Sequence, residues 1–243
     1  MHTSNYWIGH FKSNALQQRV DWAGAPNLTD GELATILPSL QAWQLGETSE
    51  GKNLMAAATR YAFKTGDIKY IDAVKLFIKE EQKHGNNLGR YLDAINQPRI
   101  KKNWGDSLFR RVRYFNTNME VWTLAVIVVE STAQLFYRSL KDATGCGLLK
   151  EICTDILIDE AYHITFQTER LCIIYEAKSR FSRAWRVPAY KLFFFATSSL
   201  VWFAHRRVFK AGGFTFAAYT KRMEYKYFKT LKTITDTPEM LWI

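Results

Sequence analysis

"DEAYH", Asp159 to His163, lies inside a mostly apolar run from Ile152 to Ile174, so two acids and an imidazole occupy a segment built to be buried. A buried carboxylate must be solvated, protonated, paired or bound to a cation, because leaving it bare is costly. A second segment, "EEQKH" from Glu80 to His84, repeats the pattern, so Glu-x-x-His occurs at Glu81/His84 and again at Glu160/His163. With five His in the chain, chance placement gives roughly 0.3 such motifs. Two copies are a signal, and each places its Glu and His on one face of a helix.

Two further acids complete a spacing. Glu130 stands thirty residues before Glu160, inside the apolar run "VWTLAVIVVESTAQLFYRSL", and Glu50 stands thirty-one before Glu81. The offsets from the first set to the second are 80, 79 and 79 residues. In an antiparallel helix pair, residues equally far from the turn lie at the same height. Glu50 precedes Gly66 by about as much as Glu81 and His84 follow it, and Glu130 is related in the same way to Glu160 and His163 about Cys146. Four carboxylates and two imidazoles therefore converge on one layer, and two divalent cations would offset their charge. Glu47 is the alternative to Glu50, one turn earlier on a similar face; the height argument favours Glu50.

The flanking sequence reads as helices. "TDGE" at Thr29 to Glu32 has capping-box spacing, and Leu33, Ile36, Leu37, Leu40 and Trp43 follow at helical intervals. This first helix is expected to run on through "LMAAATRYAF" to the break "KTGD" at Lys64 to Asp67. A second carries Ile71, Val74, Ile78, Leu88 and Leu92 and stops before Pro98. The basic, irregular stretch from Arg99 to Phe115 is expected to cross the bundle lengthwise. A third helix covers Val121 to Leu140, and a fourth runs from Leu148 to Ser179. The fold class expected is all-α, a four-helix bundle with one long crossover and added C-terminal helices.

The chain resembles the ferritin-like di-iron carboxylate superfamily, whose motif is one Glu from each of two helices and Glu-x-x-His from each of the other two. The resemblance covers Leu33 to Ser179. It implies a di-iron site held by Glu50, Glu81, His84, Glu130, Glu160 and His163, with Glu81 and Glu160 as bridges and manganese as the alternative metal. Glu80 and Asp159 match positions that orient a metal-bound His; ordinary solvated helix charges are the competing reading, and Glu47 is held in the same outer role. Tyr137 and Tyr162 fall close enough for redox work, although packing explains aromatic residues there as well. His205 has no Glu-x-x-His partner and reads as a packed or surface histidine.

The superfamily spans oxygenases, oxidases, ferritins, rubrerythrins and ribonucleotide reductase subunits, so fold does not fix reaction. Paired CxxC motifs of a rubrerythrin are absent, and the basic aromatic tail is awkward for a ferritin cage. The expectation is an O2-activating di-iron oxidoreductase acting on an organic, hydrophobic small molecule and re-reduced by an external electron donor. The alternative is a ferritin-like iron-binding or ferroxidase protein without organic turnover.

Charge divides the chain. Its net +10 comes from the tail: Lys178 to Lys232 holds thirteen Lys and Arg against one acid, Glu224, and the part before it is near neutral. The domain expectation is residues 1–179 for the N-terminal segment and bundle and 180–243 for a helical extension packed on the bundle or on a second copy. Pro188 is expected to open a helix there, and Gly212–Gly213 to end it before a second basic helix. The tail is also a candidate for anionic membrane contact; no specific nucleic-acid motif accompanies its charge. Cys146, Cys153 and Cys172 form no zinc or disulfide pattern, the N-terminal residues lack signal-peptide character, and the apolar stretch Leu192 to Ala204 is short for a bilayer span. A cytoplasmic protein, peripheral at a membrane if the tail binds lipid, is the resulting expectation.

Overall fold

The computed structural model describes residues 1–103 and 118–235, and these are helical with no strand among them. Helix α1 spans Ser4–Asn14, α2 Asp30–Glu47, α3 Lys52–Thr65, α4 Lys69–Ala94, α5 Met119–Asp142, α6 Gly147–Glu176, α7 Arg180–Ala211 and α8 Phe216–Thr235. The all-helical class is as expected. The proposed crossover, Arg99 to Phe115, lies mostly outside the described residues.

Local chemistry sets the helix starts. At α2 the Thr29 hydroxyl accepts from Glu32 N at 3.2 Å while the Glu32 carboxylate accepts from Thr29 N at 2.8 Å. A cap of this kind contributes about 1 kcal/mol. The expected first long helix is in fact two, α2 and α3, separated by Thr48–Gly51. Gly51 takes φ +63°, and a Cβ there would lie 2.5 Å from Ile78 Cδ1, so both backbone and space select glycine.

The bundle forms from α2 with α3, α4, α5 and α6: α5 packs along α6, α2 and α3 pack on α4, and α4 meets α6. Its core contains Ile36, Leu40, Val74, Leu88, Ile127, Phe136, Leu140, Ile152 and Phe166, all at most 1% exposed. Each such side chain contributes roughly 1.5–3 kcal/mol relative to exposure. Helix α1, which no sequence motif singled out, packs on α4 through buried Trp7 and Phe11, and Trp7 Nε1 donates to Glu169 at 2.9 Å.

The tail forms two helices divided at Gly212–Gly213, as expected. Pro188 does not open the first. Helix α7 begins at Arg180, where the Ser179 hydroxyl accepts from Ser182 N at 3.3 Å, and Pro188 lies inside it. Helix α7 packs on α5 and α2, and α8 packs on α6 and α7. Among the described residues, two helices are long and apolar enough to cross a membrane by length and composition alone: α5, with 72% of its apolar window buried, and the stretch Phe181–Ala211 of α7, with 28% buried. The apolar stretch Leu192 to Ala204 is thus part of a longer helix than its uncharged length indicated.

Candidate metal centre

Helices α4 and α6 each present one Glu-x-x-His motif inward at the middle of the bundle, α5 presents Glu130, and the last residue of α2 presents Glu47. Their ligating atoms form two groups, each with all members within 4.8 Å of one another: Glu81, Glu130, Glu160 and His163 in one, Glu47, Glu81 and His84 in the other. Glu81 belongs to both. The Glu160 carboxylate faces both imidazoles, with one oxygen 4.0 Å from His84 Nδ1 and the other 3.6 Å from His163 Nδ1.

Glu50 is not among the converging groups, which corrects the choice between it and Glu47. The height argument assumed one continuous helix, but α2 ends at Glu47 and Glu50 falls in the break before α3. Its side chain is 70% exposed and ion-pairs with Lys52. Glu47 is buried, and its carboxylate accepts from the Tyr137 hydroxyl at 2.6 Å. Gly85 lets α2 come this close: a Cβ there would lie 2.8 Å from Thr48 Cγ2 and 3.0 Å from the Glu47 carbonyl carbon.

The acids preceding the motifs cross between helices. His84 of α4 donates from Nε2 to Asp159 of α6 at 2.9 Å, and His163 of α6 donates from Nε2 to Glu80 of α4 at 2.8 Å. Both imidazoles therefore keep Nδ1 for the interior. Asn14, at the end of α1, joins the two acids by donating to Glu80 at 2.5 Å and to Asp159 at 2.8 Å. Arg19 and Lys83 each donate to Asp159 at 2.8 Å. Among the described residues, then, Glu80 and Asp159 hold the histidines from outside the cluster, and Asn14, Arg19 and Lys83 hold those acids. Asn14 and Arg19 were not singled out in the sequence; the cue was the Trp7/Phe11 spacing, which marks the preceding segment as a buried helix.

The electrostatics are those of a cluster waiting for positive charge. Burial, together with Glu81, raises the Glu47 pKa well above the ordinary carboxylate value, and burial together with the facing Glu160 does the same to Glu130. Burial also raises Glu81 and Glu160. Burial alone would lower His163, but Glu81, Glu160 and Glu80 raise it well above the imidazole value. Outside the cluster the balance reverses. Burial opposes ionisation of Asp159, yet the His84, Lys83 and Asn14 hydrogen bonds hold its pKa far below the usual range.

A metal pair fits these residues on a geometric test. Glu81 Oε1, both oxygens of Glu160, and Nδ1 of His84 and His163 are buried without hydrogen-bond partners. His163 Nδ1 and Glu81 Oε1 approach to 2.8 Å, yet neither makes a directed hydrogen bond. Inward-facing N and O donors of this kind suit iron or manganese.

A cavity of about 660 Å³ reaches Glu47, Glu81 and Glu130 and is otherwise lined largely by apolar groups, among them Trp43, Phe77, Ile78, Trp122, Val129 and Leu200. Its rim includes exposed Thr48, Lys52 and Ala204. Of the other residues singled out, Tyr162 is 43% exposed and packs on His10. His205 accepts or donates at 3.0 Å with the Ser39 hydroxyl, and burial lowers its pKa to about 4. It is a packed histidine that lines the cavity and belongs to neither ligand group.

No family model and no curated protein sequence matches the chain. Among solved structures the fold matches R2-like ligand-binding oxidases. One variant with anaerobically reconstituted Mn/Fe cofactor aligns at TM-score 0.70 and 17% identity over 97% of this chain and 94% of that one. Another, aerobically reconstituted with Mn/Fe, aligns at TM-score 0.69 and 16% identity over 97% and 98%. The shared architecture is the ferritin-like helical fold.

Proposed function

We propose that this ferritin-like chain is a di-metal, O2-activating oxidoreductase acting on a hydrophobic organic molecule, with two metal ions per chain held by Glu47, Glu81, His84, Glu130, Glu160 and His163. Iron is the first choice, and a mixed manganese/iron pair is the variant that the fold's Mn/Fe-carrying neighbours suggest. The observation that carries the reading is the meeting of a charged, partner-poor ligand cluster with an apolar cavity at Glu47, Glu81 and Glu130. A cluster serving only to hold the bundle together has no need of such a cavity.

When bound, the metal pair supplies electrons for reducing O2, and an external donor restores them. The chain's own residues do the rest. Glu81, shared by both groups, and Glu160, facing both imidazoles, would each contribute to holding both ions. Asp159 and Glu80 fix the tautomer and rotation of His84 and His163, and Tyr137 fixes the Glu47 carboxylate through its hydroxyl proton. Phe77, Ile78, Trp122 and Val129 line the approach with hydrocarbon, which excludes water and favours an apolar substrate.

Anaerobic loading with ferrous iron, followed by O2 with optical and magnetic spectroscopy and a screen of hydrophobic organic compounds, tests the proposal. Substrate-dependent O2 uptake with an oxidised organic product supports it. Reoxidation that yields only ferric mineral, with no product across the screen, replaces it with the iron-handling reading.

A further inference from the structure

The acid cluster does not use the outer face of α7. Phe181, Trp185, Leu192 and Phe203 are 85%, 55%, 74% and 58% exposed, and with Pro188, Ala196 and Ser199 they recur at helical spacing along one stripe. Phe216 of α8, also exposed, extends the stripe by packing on Phe203 with ring centroids 5.6 Å apart. Where α5 spends its apolar character in the core, α7 turns most of its own outward. Arg206, Arg207 and Lys210 are exposed just beyond a kink at His205 (φ −118°, ψ 18°), next to the C-terminal end of the stripe, and Lys191 is exposed beside it. Continuous exposed apolar surface bordered by charge marks an interaction site.

The geometry points to an anionic lipid surface as the occupant, with α7 lying on the membrane and the cavity mouth brought against the lipid. Three observations select it. First, the opposite face of α7 is anchored in the fold through buried Tyr190, Phe194, Val201, Trp202, Val208 and Phe209, so the helix can lie on a bilayer but cannot cross one without leaving the bundle. Second, the charge suits an anionic partner and disfavours parallel pairing with a second copy, which would set Arg206, Arg207 and Lys210 against themselves. At the other end Arg183 donates to the Lys178 and Glu176 carbonyls and Arg186 pairs with Glu120, so the free positive charge gathers at one end of the stripe. Long cationic side chains at the end of an apolar stripe reach the headgroup layer while the aromatic residues enter the acyl boundary. Third, Leu200, Val201, Ala204 and His205 of the same helix line the cavity, and exposed Ala204 follows Phe203 directly. A hydrophobic molecule leaving the bilayer at Phe203 enters the cavity without crossing bulk water.

Lipid docking rests on the surface of α7 and is independent of the reaction proposed above; only the route into the cavity presumes an apolar substrate. The test is co-sedimentation of the full chain with vesicles of phosphatidylcholine alone and of roughly three parts phosphatidylcholine to one of phosphatidylglycerol, at low and high salt. Binding to the anionic vesicles that weakens with salt is expected. The triple variant R206Q/R207Q/K210Q should lower the partition coefficient on the order of 100-fold, from about fivefold per cation. L192D/F203D should abolish binding while circular dichroism and metal content stay unchanged, because both side chains are exposed. No binding to anionic vesicles at low salt, or unchanged binding by L192D/F203D, overturns the proposal. So does a dimer that L192D/F203D converts to monomer without any lipid binding, which would assign the face to a second copy. Substrate-dependent O2 uptake measured without vesicles reports on the oxidoreductase reading alone, so the two can fail separately.

Discussion

His84 and Asp159 sit on different helices and are joined at 2.9 Å, and the mirror pair His163–Glu80 closes at 2.8 Å. Each imidazole is thus steered by the acid that precedes the other motif. The exchange ties α4 to α6 and leaves both Nδ1 atoms facing the interior. Removing an outer partner of a metal-bound histidine typically lowers affinity by about 10–100-fold. Asp159→Asn and Glu80→Gln should each fall in that range, measured by competition against a metal chelator, with the fold retained by circular dichroism. Unchanged affinity in both would mean that these pairs do not orient ligands.

Asn14 extends the same logic to α1, since one amide donates to both Glu80 and Asp159. Asn14→Ala should weaken binding of both metals together, by roughly tenfold if its effect resembles that of an outer ligand partner. A stepwise titration that shows loss at one position alone would contradict a shared role.

Protons compete with metal here. Glu47 and Glu130 have raised pKa values, so the metal-free cluster holds protons that metal must displace. Apparent affinity should therefore rise with pH, with more protons released per metal bound at mildly acidic than at alkaline pH, read by calorimetry in buffers of different ionisation enthalpy. The metal-free protein should move the opposite way. A carboxylate raised in the folded state destabilises it as pH climbs above the ordinary value of 4.5, and a raised His163 contributes stability that is present below 6.5 and lost as pH rises through its folded value. Mild acidification from neutral pH should therefore stabilise the metal-free form, and Asp159, held low, loses its contribution only in stronger acid.

Close approach of α2 to α4 depends on Gly85. In Gly85→Ala the new Cβ meets Thr48 Cγ2 and the Glu47 backbone at 2.8 and 3.0 Å, which should cost about 1–3 kcal/mol and displace Glu47. A lower Tm together with weaker metal binding is expected; a wild-type Tm and affinity would show that α2 need not come so close.

The fold was legible because the chemistry repeats. Two Glu-x-x-His segments and a third apolar helix bearing Glu130 point to antiparallel neighbours, and spacing about Cys146 sets Glu130 level with Glu160 and His163. The choice between Glu47 and Glu50 was not legible from spacing, since it turns on a local break. "TSEGKN" carries turn residues, but only the positive φ of Gly51 against Ile78 shows that the helix stops there and restarts. Pro188 misled in the opposite sense: proline suits a helix start, but Ser179 caps α7 earlier, and packing on α5 carries the helix through. The Asn14 contacts depend on where α1 docks: the Trp7/Phe11 spacing marks it as a buried helix, but nothing in the sequence says that its end meets Glu80 and Asp159.

The most direct test is the metal content of the wild type, Glu47→Ala and Glu50→Ala after anaerobic loading with ferrous iron and removal of loosely bound metal. Two ions per chain are predicted in the wild type and in Glu50→Ala, and at most one in Glu47→Ala. A wild type that holds fewer than two, or a Glu50→Ala chain that loses metal while Glu47→Ala keeps both ions, would contradict a di-metal centre completed by the last residue of α2.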